Sequence, residues 1–259
     1  MSWRLLHLDG KTPSECRALR EVFPREVDEK RSPNTVTFSC LKTYVLLGER
    51  SNYNTINVDE CKKRNIPIVR TIEAGDTTLY TPTVFNVCIA YDGTQSKTKD
   101  AINLVNESII DVCRAFGVTA TPRHRRNDVL VGGRKICGMA VRRYGGCLLA
   151  SFIFTVDFDY DLADALLKIP DSKFADKSHK TVRDWVTSLR RESSRELSMD
   201  AVRAALIATF EDKYNMTLKE GKLTIEEDRE LEKLAEKYSS ESWLEYGKWS
   251  PIKDYWRPS

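Results

Sequence analysis

The sequence predicts an α+β fold: a mixed β-sheet through about residue 158, sandwiched with helices, and then a helical part packed on it. Three observations carry this. Residues 128–158 read as a meander of strands broken at Gly132-Gly133 and Tyr144-Gly145-Gly146. Residues 98–116 place Ile102, Val105, Ile109, Val112 and Phe116 at helical spacing. After Asp159, four segments read as helices. No linker or low-complexity stretch divides the chain, so one domain is expected over residues 1–259, sheet-rich over 1–158 and helical over 159–259.

A strand is expected over 3–8, followed by Asp9-Gly10 and a Thr12-Pro13-Ser14-Glu15 helix start opening a helix over 14–27. Residues 35–40 and 44–48 alternate like paired strands. A short polar helix follows over 58–64, with Asn57 as its cap. Residues 67–70 form an apolar strand leading into a loop, and 83–90 form another strand. In the meander, Gly132-Gly133 suits a two-residue hairpin turn, where positive φ is required. The late helices fall at 162–167, 182–189, 199–214 and 226–238. Val202, Leu206 and Phe210 give the third a buried face, with Ser198 as its cap.

Composition narrows the function. Hydrophobic residues make up 41% and charged residues 31%, which excludes a disordered or collagen-like chain. A net charge of +3 is too balanced to imply a nucleic-acid partner. No apolar run approaches the ~18 residues of a membrane span. Seven scattered cysteines with no CxxC pair argue against a disulfide framework or a structural zinc, and suit buried thiols in a reducing cytoplasm. The three histidines, His7, His124 and His179, are too far apart to read as a metal motif.

Three segments offer chemistry. In the loop over 70–81, Gly75-Asp76-Thr77-Thr78 presents backbone N–H groups and hydroxyls suited to a phosphate. Arg126-Asn127-Asp128 sits just before a strand, and adjacent Asn and Asp side chains bind a hydrated Mg²⁺ or orient a polar ligand. Lys135 follows the glycine turn and faces a strand of small residues, as a compact charge for a phosphate or carbonyl. Taken singly, each also reads as an ordinary turn, a cap or a solvated hairpin-edge lysine.

Together they resemble one family. Arg126-Asn127-Asp128, a strand, then Gly133-Arg134-Lys135-Ile136-Cys137-Gly138-Met139-Ala140 is similar to the central signature of lipoate–protein ligases, whose wider family includes biotin–protein ligases and octanoyltransferases. Trp3-Arg4-Leu5-Leu6, Val45-Leu46-Leu47-Gly48, Ile66-Pro67-Ile68-Val69-Arg70, the helix over 199–214 and Ser239-Ser240-Glu241-Ser242-Trp243 extend the resemblance over nearly the whole chain. It implies a biotin/lipoate–protein ligase-like, class II synthetase-like catalytic domain. It also implies ATP-dependent attachment of lipoate or octanoate, through an acyl-adenylate, to a lysine of a lipoyl carrier domain.

In that scheme Lys135 is the catalytic residue, binding the α-phosphate and the acyl carbonyl. Gly75, Asp76, Thr77, Thr78 and Leu79 hold the adenylate, with Gly138 in the same cofactor-binding set. Asn127 and Asp128 position phosphate through Mg²⁺, with Asp128 as the metal ligand, and Arg70 supports the loop and a phosphate.

The chain departs from the family in that loop. An arginine pair, three glycines and a His-Asp are expected, and the sequence reads Arg70-Thr71-Ile72-Glu73-Ala74-Gly75-Asp76-Thr77-Thr78-Leu79-Tyr80-Thr81. The family's His-His-Gly is also gone, near Leu148-Leu149-Ala150. The resemblance thus implies a rebuilt lipoyl pocket. Two other readings stand beside the ligase. An octanoyltransferase of the same fold needs a cysteine nucleophile, and neither Thr121-Pro122-Arg123-His124-Arg125 nor Ile169-Pro170-Asp171 holds one at the expected places. A non-catalytic relative binding a lipoylated carrier would fit the lost glycines and histidines. Long family members append an accessory domain after the late tryptophan segment. For this chain a separate accessory protein is therefore expected; the aromatics from Trp243 to Trp256 read either as its docking surface or as aromatics buried against the core.

Overall fold

The computed structural model describes residues 2–49, 51–73, 75–123, 127–168 and 181–247. Ala74, Arg126, the 169–171 segment and the late aromatics Trp249, Tyr255 and Trp256 lie outside the described residues.

The elements run β1 (Ser2–His7), α1 (Pro13–Asp28), β2 (Thr35–Ser39), β3 (Tyr44–Leu47), α2 (Val58–Lys63), β4 (Ile68–Arg70), β5 (Thr78–Tyr80), β6 (Val84–Asp92), α3 (Thr98–Ala115) and β7 (Thr121–Pro122). They continue with β8 (Asp128–Val131), β9 (Arg134–Tyr144), β10 (Cys147–Thr155), α4 (Tyr160–Leu166), α5 (Val182–Trp185), α6 (Leu189–Glu192), α7 (Met199–Tyr214), β11 (Thr217–Glu220), α8 (Ile225–Ser239) and α9 (Glu241–Tyr246). A large mixed sheet has the order β11-β1-β2-β6-β10-β9-β8-β7, and a small one the order β4-β3-β5.

Helices cover both faces of the large sheet. Val105, Ile109 and Val112 of α3, with Val202, Leu206 and Phe210 of α7, pack on one face against Phe85, Val87, Phe152 and Phe154. Leu19 and Phe23 of α1, with Leu231 and Leu234 of α8, pack on the other. Period-2 alternation along β6 and β10 splits their side chains between these two cores. The expected α+β sandwich is thus present.

Local chemistry sets the helix starts. Thr12 accepts from Glu15 N while the Glu15 carboxylate returns to Thr12 N, a capping box with Pro13 at the first position. Asn57 and Ser198 cap α2 and α7 as the sequence suggests. Three expectations are corrected. β2 and β3 do not pair: β2 joins β1 and β6 in the large sheet, whereas β3 joins β4 and β5. Both strands are buried throughout, so alternation could not name their partners. The helix expected over 182–189 is two short turns, because Val186 is extended and Ser188 caps a new start by accepting from Arg191 N. The C-terminal part also holds a strand, β11, a largely exposed edge with no apolar alternation to announce it. Asn215 at φ 51° ends α7 and returns the chain alongside β1.

Candidate active site

Lys135 stands at the start of β9, just past the turn at Gly132 and Gly133, whose φ values of 55° and 79° match the expected hairpin. A β-bulge between Val129 and Leu130 shifts the β8–β9 register, so Leu130 faces Lys135 while Asp128 faces Gly138. Lys135 Nζ lies 2.7 Å from Asp128 Oδ1, and Arg123 Nη1 lies 3.6 Å from the other carboxylate oxygen. The lysine reaches its partner over Gly138. A Cβ at that position would stand 2.4 Å from Lys135 Cε and 2.6 Å from Nζ. The main chain of Lys135 is held as well, its carbonyl accepting from Thr187 N at 2.9 Å.

Two cavities meet at this lysine. One, of about 180 Å³, is mostly apolar, with Leu79, Ile136, Phe158, Leu167 and Val186 in its wall beside Thr77 and Thr78. The other, of about 510 Å³, is more polar, lined by Arg17, Glu73, Asn86, Asn127, Asp128 and Ser151 among others. Asp76, Thr78, Lys135, Gly138, Ile153 and Trp185 line both. Trp185 carries the Arg123 guanidinium 5.1 Å above its ring, which ties this wall to Asp128.

The fold therefore brings together nine of the ten residues singled out from sequence. Gly75, Asp76, Thr77, Thr78, Leu79, Asn127, Asp128, Lys135 and Gly138 each line one or both cavities. Arg70 is the exception: it braces main chain beside the loop, but it lines neither cavity, and the expectation that it meets a phosphate is corrected. Buried to 2% exposure, it donates to five backbone carbonyls, those of Gly48, Glu49, Ser51, Leu244 and Glu245. It braces the loop and α9 and lines neither cavity, because its donors are committed to main chain.

Sequence reasoning missed the charged wall of the larger cavity. Arg17 and Arg20 project from α1. Arg20 donates to Glu73 Oε1 at 3.2 Å and to Asn86 Oδ1 at 2.6 Å. Arg17 donates to the Tyr44 hydroxyl at 2.6 Å, and its guanidinium lies 4.9 Å from the centre of the Tyr80 ring. Asn86 in turn donates to Ser39. Two arginines three positions apart on an otherwise apolar helix face were the available signal.

The cysteines do not reach the site. All seven are among the described residues, and none lines either cavity. Burial pushes the Cys147 thiol up to about 12 and raises Cys137 well above its ordinary value. Nor do the described residues hold a cluster of three or more His, Cys, Asp or Glu side chains fit to bind a metal alone. Asp76 and Asp128 both line the larger cavity, and a hydrated Mg²⁺ needs only one or two protein carboxylates. No helix among the described residues is long and apolar enough to cross a membrane.

Comparison with known proteins gives the family of the chain. Residues 12–211 match the family model described as "Lipoyl protein ligase A/B catalytic domain". The "Lipoate-protein ligase A subunit 1" of Thermoplasma acidophilum is 27% identical over 198 residues, covering 73% of this chain and 75% of the relative. The "Octanoyltransferase LipM" of Bacillus subtilis is 23% identical over 270 residues, covering 93% and 97%. A chain from the structure of the bipartite lipoate protein ligase and E2 lipoyl domain of Thermoplasma acidophilum superposes with a TM-score of 0.82. It is 25% identical, covering 97% of this chain and 99% of that one. With more than half its length matched and its fold shared, the chain belongs to the lipoyl protein ligase A/B catalytic domain family.

Proposed function

We propose that this chain activates a medium-chain carboxylic acid, of the size of lipoate or octanoate, with ATP. It then passes the acyl group to a lysine of a lipoyl carrier domain. The observation that carries the reading is Lys135, held by Asp128 where a polar and an apolar cavity join. In the first step an oxygen of the acid attacks the α-phosphorus, and pyrophosphate leaves. In the second, the carrier lysine's amine attacks the acyl carbonyl, loses a proton, and AMP leaves.

Lys135 supplies positive charge at the point where the acyl carbonyl and the phosphate both gain negative charge. The 75–79 loop offers backbone donors and the Thr77 and Thr78 hydroxyls to the nucleotide. The apolar cavity beside it suits a purine base. Mg²⁺, when bound, would neutralise phosphate charge, with Asp76 and Asp128 as the carboxylates at hand. Asp128 meanwhile aims the Lys135 side chain.

A thioester route of the octanoyltransferase kind is disfavoured, because no cysteine lines the cavities and the buried thiols resist ionisation. Similarity to one subunit of a bipartite ligase supports a separate accessory protein as partner. The test is pyrophosphate exchange on the purified chain with a panel of acids, and transfer from synthetic acyl-AMP to a lipoyl domain. Acid-dependent exchange, or transfer from acyl-AMP alone, is expected. A thioester trapped on the chain during turnover would replace this reading with the transferase.

A further inference from the structure

Arg70 joins two parts of the chain that lie 174 positions apart. On one side its guanidinium donates to Leu244 O and Glu245 O of α9, at 3.0 Å each. On the other it donates to Gly48 O, Glu49 O and Ser51 O at 3.1, 3.2 and 2.7 Å. All five partners are main-chain carbonyls, so peptide dipoles meet its charge.

The α9 acceptors follow from how that helix ends. Gly247, at φ 63°, closes α9 with its N–H on Trp243 O at 2.9 Å. The last carbonyls of a helix have no partner inside it, and a cation suits that negative end. The other three acceptors lie against the site. Gly48 lines the larger cavity and Ser51 the smaller. A Cβ on Gly48 would stand 2.0 Å from Gly75 O, so the two backbones are in a contact that glycine permits. Ser51 Oγ donates to Gly75 O at 3.4 Å, and Glu49 N to Glu73 O at 3.0 Å. Gly48, Glu49 and Ser51 therefore form a shelf under the start of the 75–79 loop.

We infer that Arg70 is a positioning residue that couples the seating of α9 to the order of the 75–79 loop, and so to the hold of the site on an acyl-adenylate. It acts through the shelf, since it lines neither cavity itself. The inference rests on the acyl-activation reading, which puts the nucleotide on that loop. Arginine suits the task because its planar fork spreads five N–H donors over two segments, whereas a lysine offers one point of charge. A loop ordered in advance loses less freedom when its ligand binds.

The full chain is perturbed at the far end, by Gly247→Val. A β-branched residue at φ 63° is strained, while its Cβ would meet Arg70 Cδ at 3.5 Å, an ordinary contact. The strain thus falls on the last turn of α9, and Gly247 lines neither cavity. Amide hydrogen exchange over 48–51 and 75–79 should quicken at least fivefold, with β6 and β10 unchanged. By calorimetry, the octyl ester of AMP, an unreactive stand-in for an acyl-adenylate, should bind at least fivefold more weakly, and octanoate less than twofold. Arg70→Lys should reproduce both effects, and adding Gly247→Val to it should weaken the ester no further, because the path is already broken. Should Gly247→Val lose its cooperative melt, Arg70→Lys carries the same measurements. Unchanged amide exchange at 48–51 and 75–79 in a folded variant overturns the inference. So does a loss that quickens the whole sheet and weakens both ligands alike, which is what a purely structural role would give. Pyrophosphate exchange on the wild type reports separately on the reaction. Acid-dependent pyrophosphate exchange without spread from α9 to the loop keeps the acyl-activation reading and removes the coupling. Spread from α9 to the loop in a chain that exchanges no pyrophosphate and transfers nothing from acyl-AMP keeps the coupling and removes that reading.

Discussion

Lys135 Nζ meets Asp128 Oδ1 at 2.7 Å, although the strand register pairs Lys135 with Leu130 and Asp128 with Gly138. The lysine leans along β9 over Gly138 to reach the carboxylate, and this contact leaves it at the junction of the two cavities. Three residue types serve one placement. Asp128 fixes the charge, Lys135 carries it, and Gly138 leaves the space.

Lys135→Ala should therefore lower acyl-adenylate formation by about 100- to 1000-fold, the range seen on losing one preorganised charge-stabilising donor. The fold should tolerate it. The lysine is 30% exposed, and a partly exposed ion pair contributes about 1 kcal/mol or less. Exchange kinetics beside a thermal melt check both halves. An unchanged rate would remove Lys135 from the chemistry.

Gly138→Ala tests the same placement by sterics alone. The added methyl would sit 2.4 Å from Lys135 Cε, so the lysine must leave Asp128 and the cavity junction. Activity should fall at least tenfold with little change in melting temperature, because the displaced atoms end a flexible side chain. In a crystal structure of the variant, Lys135 should point away from Asp128.

The two halves of the site were unequally legible in the sequence. Lys135, Gly138 and the 75–79 loop could be found because they are local: a glycine turn, a strand of small residues, a loop after an apolar strand. Arg17, Glu73 and Asn86 meet only through the packing of α1 across the sheet, at separations of 53 and 66 residues for the two contacts of Arg20. Periodicity marks the inner face of α1 but does not say that its arginines will find a carboxylate there. Arg70 misled for a related reason. A guanidinium beside a phosphate loop resembles a ligand, but the carbonyls that consume it come from the 48–51 segment after β3 and from the return of the chain through α9.

Thiol chemistry should be slow and confined to the surface. Cys40 is the one cysteine not fully buried, and burial, reinforced by Asp9, raises its thiol to about 11. With a pKa that high, about one molecule in a thousand is thiolate at pH 8, and the fraction rises tenfold per pH unit towards 11. Alkylation of the native protein should follow that slope and label Cys40 first, as read by mass spectrometry. Cys137 and Cys147 should react only after unfolding. Fast labelling of either at neutral pH would reopen the cysteine-nucleophile mechanism.

Glu73 should matter to the fold. It is the carboxylate shared by Arg17 and Arg20, and Thr71 donates to it as well. Glu73→Gln keeps the shape and removes the charge, leaving two buried guanidiniums with no counter-ion among the described residues. Breaking one side of a buried ion pair in this way costs about 3–5 kcal/mol, and for a chain of this size each kcal/mol shifts melting by about 2–4 °C. Urea denaturation should show the loss, and adding Arg17→Met should return part of it, since the second change removes one of the stranded cations. The coupling in that double-mutant cycle is the decisive quantity. Additive losses would mean that Arg17 and Glu73 do not sense each other's charge, and that Glu73 serves Arg20 alone.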